Sequence, residues 1–210
     1  MKKVRTSRIR FLSELIANEP WHPPEEYPTE GDADQDTTFL AVGRSLSYWE
    51  WFEAHLGLIF SRLIGAPNKL DAANRAYGTV LTFRGRGDMI KAAAESYFLL
   101  RPDDDTANEF KELMKCADDL APRRNEIAHG IVQPYFPLAA RPPKGYALVP
   151  SLHATGKRPI VRAIAHAHNS GRYAYTATEI AAFGSAFEIL AKAAVTFLYE
   201  MPNDRRKAGQ

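Results

Sequence analysis

Between residues 121 and 132 the chain reads APRRNEIAHGIV. Two arginines, Arg123 and Arg124, precede Asn125, and His129 stands directly before Gly130. These residue types suit the cutting of RNA without a metal ion. An imidazole takes the proton from a ribose 2′-hydroxyl, the freed oxygen attacks the adjacent phosphorus, and cationic donors stabilise the charge gathering on the phosphate. In that scheme His129 is the acid–base group and Arg124 stabilises the phosphate. Asn125 orients or hydrogen-bonds the substrate, and Arg123 adds a contact to the RNA. Only RNA carries the 2′-hydroxyl, so the chemistry selects RNA over DNA.

Helical spacing brings part of this set together. Asn125 and His129 are four apart and share a face, while Arg124 lies about 140° around from His129 at ~100° per residue and reaches the same end with its long side chain. Gly130 is a stop signal, so His129 is expected at a helix C-terminus, open to solvent or ligand. The partial negative charge there favours a protonated imidazole but repels phosphate, and the arginines are what reverse the local sign. A second reading stays open: arginine, asparagine and histidine near a helix end can simply cap carbonyls. Spacing alone does not separate the two. With 17 arginines and six histidines, the pattern recurs in Arg123–His129 and in Arg162–His168. The latter pair lies in a segment of period two and is set aside.

The helix that carries the motif begins after RPDDD (101–105), whose acids supply an N-cap, and presents Phe110, Leu113, Met114, Ala117, Leu120, Ile127 and Ile131 as its apolar stripe. Ala128 is read as part of the buried stripe, and Pro122 is expected to kink or restart the helix. A longer helix near 37–65 shows Val42, Leu46, Trp49, Phe52, Leu56, Ile59 and Leu63 on one face. Tyr48 and Trp51 widen its apolar surface beyond one core face, which suggests a partner chain. Glu50, Glu53 and His55 are read as its solvated side. Further helical stretches cover 68–83 and 88–100, with RGRG (84–87) as a turn between them. A closing helix at 176–200 follows a capping box from Thr176 to Glu179. At the other end, residues 4–17 form a short amphipathic helix with Ile9, Leu12 and Ile16 on one face. Residues 19–36, with four prolines among many acids, make a linker or extended arm. Recurrent prolines and short strand-like runs between 132 and 175 suggest a small hairpin or a two-to-three-stranded excursion. The expected fold is all-α: a bundle of four to six helices with a small β-rich insertion before the last helix. Residues 1–36 form the N-terminal helix and arm, and 37–210 the helical domain with its insertion near 132–175.

RNEIAHG, from Arg124 to Gly130, resembles the Arg-x(4–6)-His motif of HEPN domains in the form with a polar residue after the arginine. The resemblance implies a helical bundle and a ribonuclease of the toxin–antitoxin or antiphage kind. It places catalytic roles on Arg124 and His129 with Asn125 as polar companion, and it implies a homodimer whose two motifs face one cleft. An antitoxin or other regulator is the further partner it implies. A non-catalytic dimerisation or ligand-binding module of the same fold is the alternative. The close match covers seven residues, and the insertion departs from a minimal bundle.

The remaining features narrow the field. A net charge of +2, from 27 basic and 25 acidic residues, argues against a protein that coats nucleic acid generally, though not against a local basic site. Cys116 is the one cysteine, which excludes an internal disulfide and fits a core thiol in a reducing cytoplasm. His166 and His168 form an H-x-H with His153 as the nearest further histidine, too few ligands for a zinc site, so neither metal nor cofactor is expected. His22, between Trp21 and Pro23, reads as a loop residue. No nucleophile elbow or phosphate loop occurs. The basic N-terminus lacks a cleavage site, and no run approaches the ~18 apolar residues of a membrane span, so a cytoplasmic location is expected.

Overall fold

A computed structural model describes residues 10–66, 70–137, 142–151 and 173–201. It contains α1 (Arg10–Asn18), α2 (Gln35–Leu63), α3 (Leu70–Gly78), α4 (Phe83–Leu100), α5 (Asp104–His129), β1 (Gly130–Pro134), β2 (Tyr146–Pro150) and α6 (Ala177–Glu200). The fold is all-α with a two-stranded antiparallel hairpin before the last helix, as expected.

Local chemistry sets the helix ends. The Asp34 carboxylate accepts from the Thr37 amide at 2.8 Å and its hydroxyl at 3.1 Å, which starts α2 and holds that carboxyl below its usual value. Asp103 starts α5 in a similar way, accepting from the Thr106 amide at 3.1 Å and its hydroxyl at 2.7 Å. The capping box opens α6: Glu179 accepts from the Thr176 amide at 2.6 Å and its hydroxyl at 3.0 Å. RGRG (84–87) is helical and does not form the expected turn between helices. Thr82 caps α4 by accepting from the Gly85 amide, so Arg84–Gly87 forms the first turn of the helix rather than a break between helices. The first amides of any helix lack partners, and a threonine hydroxyl here outweighs the two glycines. α5 runs as one helix through Pro122, with no restart.

The chain divides into two compact units. One comprises residues 1–18, 51–118 and 189–210, and the other 19–50 and 119–188. In the first, Leu12 and Leu15 are buried on α1 while Ile16 is exposed, which shifts the expected stripe; Ile9 lies outside the described residues. Phe52, Leu56, Ile59, Ile90, Leu113 and Ala117 are buried, and the Phe110 and Phe197 rings meet at 5.7 Å. Glu53 departs from its expected solvated position. It is 4% exposed and ion-paired with Arg86, whose Nε also donates to the Val80 carbonyl at 2.8 Å. The Arg86 guanidinium lies 5.9 Å from the Tyr77 ring centroid. Burial, and then the Glu53 charge, push the Tyr77 phenol well up from its ordinary value.

In the second unit β1 pairs β2 in a register running from Gly130↔Pro150 to Pro134↔Tyr146. Two further segments bond to β2: Asp32 pairs with Tyr146, and Tyr175 with Leu148. Residues Gly31 and Asp32 of the acidic arm are thus stitched to the hairpin rather than merely linking helices. Gly31 is required there, because a Cβ would collide with the Tyr146 backbone. The Asp32 carboxylate also accepts from the Thr38 hydroxyl and, at 2.8 Å, from the Ala177 amide that opens α6. Tyr135, Ala147, Val149 and Ala174 form the core behind the hairpin, and Trp49 packs edge-on against Phe187 at 5.2 Å. Among the described residues α6 is long and apolar enough to cross a membrane, contrary to the sequence expectation. More than half of that window is packed inside the fold, which is the pattern of a core helix.

Candidate functional site

The four motif residues lie in the last two turns of α5, within the second unit. Ile127, 1% exposed, anchors these turns to the core; Ala128 is exposed, not buried as expected. The helix passes into β1 with no intervening loop, because Gly130 is the first strand residue. Its role is not the left-handed cap that a glycine stop suggests, since its φ is not positive. It is needed for close approach: a Cβ would stand 2.7 Å from Leu148 Cγ and 3.0 Å from the Glu126 carbonyl oxygen. His129 is therefore held at a packed helix–strand junction instead of a fraying end.

His129 and Asn125 are both exposed. His129 makes no hydrogen bond or ion pair among the described residues. Asn125 Oδ1 accepts from Arg124 Nη1 at 3.1 Å, so the arginine and its polar neighbour are joined directly. Arg124 is otherwise folded toward α2. Its Nη2 is 3.6 Å from the Glu50 carboxylate, and its guanidinium lies 5.8 Å from the centroid of buried Trp49. The Glu50 side chain is 66% exposed, so the pair is worth about 0–1 kcal/mol and yields readily to a competing anion. The Trp49 ring beneath adds a cation–π contact of comparable size.

Arg123 has a different setting. Its side chain is 13% exposed, and Nη1 lies 2.9 Å from the Tyr175 hydroxyl and 3.0 Å from Glu126 Oε2. Tyr175 donates to the same carboxylate oxygen at 2.7 Å, and the Tyr173 hydroxyl donates to the Glu126 carbonyl at 2.9 Å. The two tyrosine rings stack at 4.9 Å. Burial first, then the hydrogen bond and charge of Glu126, push the Tyr175 phenol well up against the opposing pull of Arg123. It remains a neutral donor throughout the physiological range. Arg123 is thus engaged inside the fold, Arg124 is partly buried against α2, and Asn125 and His129 are exposed. Sequence reasoning missed Trp49, Glu50, Glu126, Tyr173 and Tyr175. The only available signals were the acid within the motif and two tyrosines at strand spacing in RYAYT.

A groove of about 350 Å³ is bordered by Leu40, Arg44, Tyr48, Ala181 and Glu188, and it contains no motif residue. Among the described residues no three histidine, cysteine or carboxylate side chains gather as a metal site. His153, Arg162, His166 and His168 lie outside the described residues. Comparison with protein-family models, curated proteins and solved structures finds no significant match.

Proposed function

We propose that the chain is a metal-independent endoribonuclease of HEPN type, with the end of α5 as its active site. The observation that carries the reading is the pairing of an exposed His129 with an Arg124 that touches Asn125 and whose ion pair with Glu50 is weak and solvent-exposed. Phosphate can displace Glu50 at little cost and meet the guanidinium directly. His129 then removes the 2′-hydroxyl proton and O2′ bonds to phosphorus. The P–O5′ bond breaks, and the 5′-oxygen takes a proton from an imidazolium. The products are a 2′,3′-cyclic phosphate and a free 5′-hydroxyl. A role as a toxin or antiphage effector under the control of a cognate regulator belongs to the same reading.

One motif supplies a single histidine, whereas base and acid are both needed at the same moment. The working unit we infer is a homodimer, with a second His129 beside the first. Support comes from α2. Phe39, half exposed, precedes Glu50 by three turns and lies on the same helix face, so an apolar contact there would bring the Glu50–Arg124 pairs of two copies near one axis. Engagement of both arginines by carboxylates favours the alternative, a non-catalytic dimerisation or ligand-binding module. Incubation of pure protein with mixed RNAs in EDTA separates the two. Cleavage that yields cyclic phosphate ends, and that disappears in a folded His129→Ala variant, supports the enzyme. Intact RNA across substrates, from a normally folded dimer, refutes it.

A further inference from the structure

We propose that Tyr173 and Tyr175 are positioning residues that hold the Glu126 carboxylate away from His129 and Arg124 and so keep the end of α5 fit to receive an anion. The inference rests on the ribonuclease reading of that end. Glu126 is the one acid inside the motif, three residues before His129 and therefore about 60° from it on the helix. Side chains at that spacing reach one another. Left free, the carboxylate would pair with the His129 imidazolium and repel a phosphate at Arg124. The α5 terminus adds to the problem, because its last four carbonyls carry partial negative charge.

Both negative features are taken up by donors from outside the motif face. Tyr175 donates to Glu126 Oε2 at 2.7 Å, and Arg123 pairs with the same oxygen at 3.0 Å. Tyr173 donates to the Glu126 main-chain carbonyl at 2.9 Å, one of those last four. The hydroxyls are kept in place by ring contacts that do not depend on them: the tyrosines stack at 4.9 Å, and Tyr175 meets Phe183 edge-on at 5.2 Å. This gives Arg123 a purpose distinct from that of Arg124. It neutralises the motif's own acid and leaves its neighbour to the substrate.

The test uses Tyr175→Phe, Tyr173→Phe and each combined with Glu126→Gln; phenylalanine keeps the stack. Three quantities are read: affinity for an uncleavable 2′-O-methyl oligoribonucleotide, kcat and KM on unmodified RNA, and the His129 imidazole NMR signal. Tyr175→Phe is expected to weaken oligonucleotide binding about fivefold, the effect of one like charge a few ångströms from phosphate in watery surroundings. KM rises correspondingly and kcat changes less. Adding Glu126→Gln restores wild-type affinity, which a loss of packing would not allow. Wild-type affinity in Tyr175→Phe, or a double variant as weak as the single one, overturns the proposal. If wild-type protein neither binds nor cuts RNA, the ribonuclease reading fails separately and the NMR signal decides. Movement of the His129 resonance in Tyr175→Phe, reversed by Glu126→Gln, supports the release of Glu126 toward His129. An unmoved resonance overturns it.

Discussion

Replacing Gly130 with alanine should destabilise the fold by about 1–2 kcal/mol through a single methyl group. The added Cβ would stand 2.7 and 2.8 Å from Leu148 Cγ and Cδ1 and 3.0 Å from the Glu126 carbonyl oxygen. Carbon atoms prefer about 3.5–4.0 Å, so the overlap approaches 1 Å. Leu148 has little room to retreat: it is 1% exposed, and its backbone exchanges both hydrogen bonds with Tyr175. Overpacking of this kind costs about 1–3 kcal/mol. The backbone itself adds nothing, since φ is not positive there, and the stiffer unfolded chain returns about 0.4–1 kcal/mol. At about 2–4 °C per kcal/mol for a chain of this size, Tm falls by roughly 2–8 °C. Thermal unfolding followed by circular dichroism measures it, with Leu148→Ala as a companion. Removing the leucine side chain relieves the clash, so the double variant should lose less than the sum of the single losses. An unchanged Tm in Gly130→Ala, or strict additivity with Leu148→Ala, would refute the account of the junction.

Other consequences can be checked alongside. His129→Ala should lower kcat by about 10²–10⁴-fold while leaving Tm unchanged, since the ring is exposed; single-turnover cleavage in EDTA at the wild-type rate would remove His129 from the chemistry. Arg86→Met removes the ion-pair partner of the buried Glu53 carboxylate and should cost about 3 kcal/mol, the lower end for a broken buried pair because the Arg86 side chain is 24% exposed. Urea denaturation reads that loss, and a midpoint equal to wild type would mean that Glu53 finds another donor. Asp34 is held below its ordinary value by its bonds to Thr37, so its capping stabilises the fold above that ordinary value of 3.8 and is lost as pH falls through the lowered one. The difference in Tm between wild type and Asp34→Ala should therefore be constant near neutrality and shrink toward pH 2; a constant difference down to pH 2 contradicts the cap.

Residues that bury hydrocarbon were the legible part of this chain. Phe110, Leu113, Met114, Ala117, Leu120 and Ile127 repeat at helical spacing and are all buried on α5, whereas Ile131, expected on the same stripe, lies in β1 and is 41% exposed; the Thr176–Glu179 pair correctly marks where α6 begins. Glu53 was misjudged because its partner Arg86 is 33 residues away, and an acid on a helix looks the same whether water or a guanidinium faces it. For a similar reason the composition of residues 19–36 leaves linker and extended arm undistinguished. Backbone pairing of Asp32 with Tyr146 leaves no side-chain pattern to detect. At the motif, the chemistry-bearing residues were visible by type, while the tyrosines that engage Glu126 follow it by 47 and 49 residues and could not be connected to it.

The antiparallel pairing of Leu148 with Tyr175 has a bearing on how much the length of the chain between them matters. Both hydrogen bonds are exchanged, at 2.8 and 2.9 Å, so the chain leaving Pro150 and the chain arriving at Tyr173 start side by side. Closing a loop between adjacent ends costs only about 0.6 kcal/mol for each doubling of its length. The entropic cost of joining these two ends therefore depends only weakly on how many residues lie between them, whereas the register that brings Tyr173 and Tyr175 to Glu126 is set by the pairing itself.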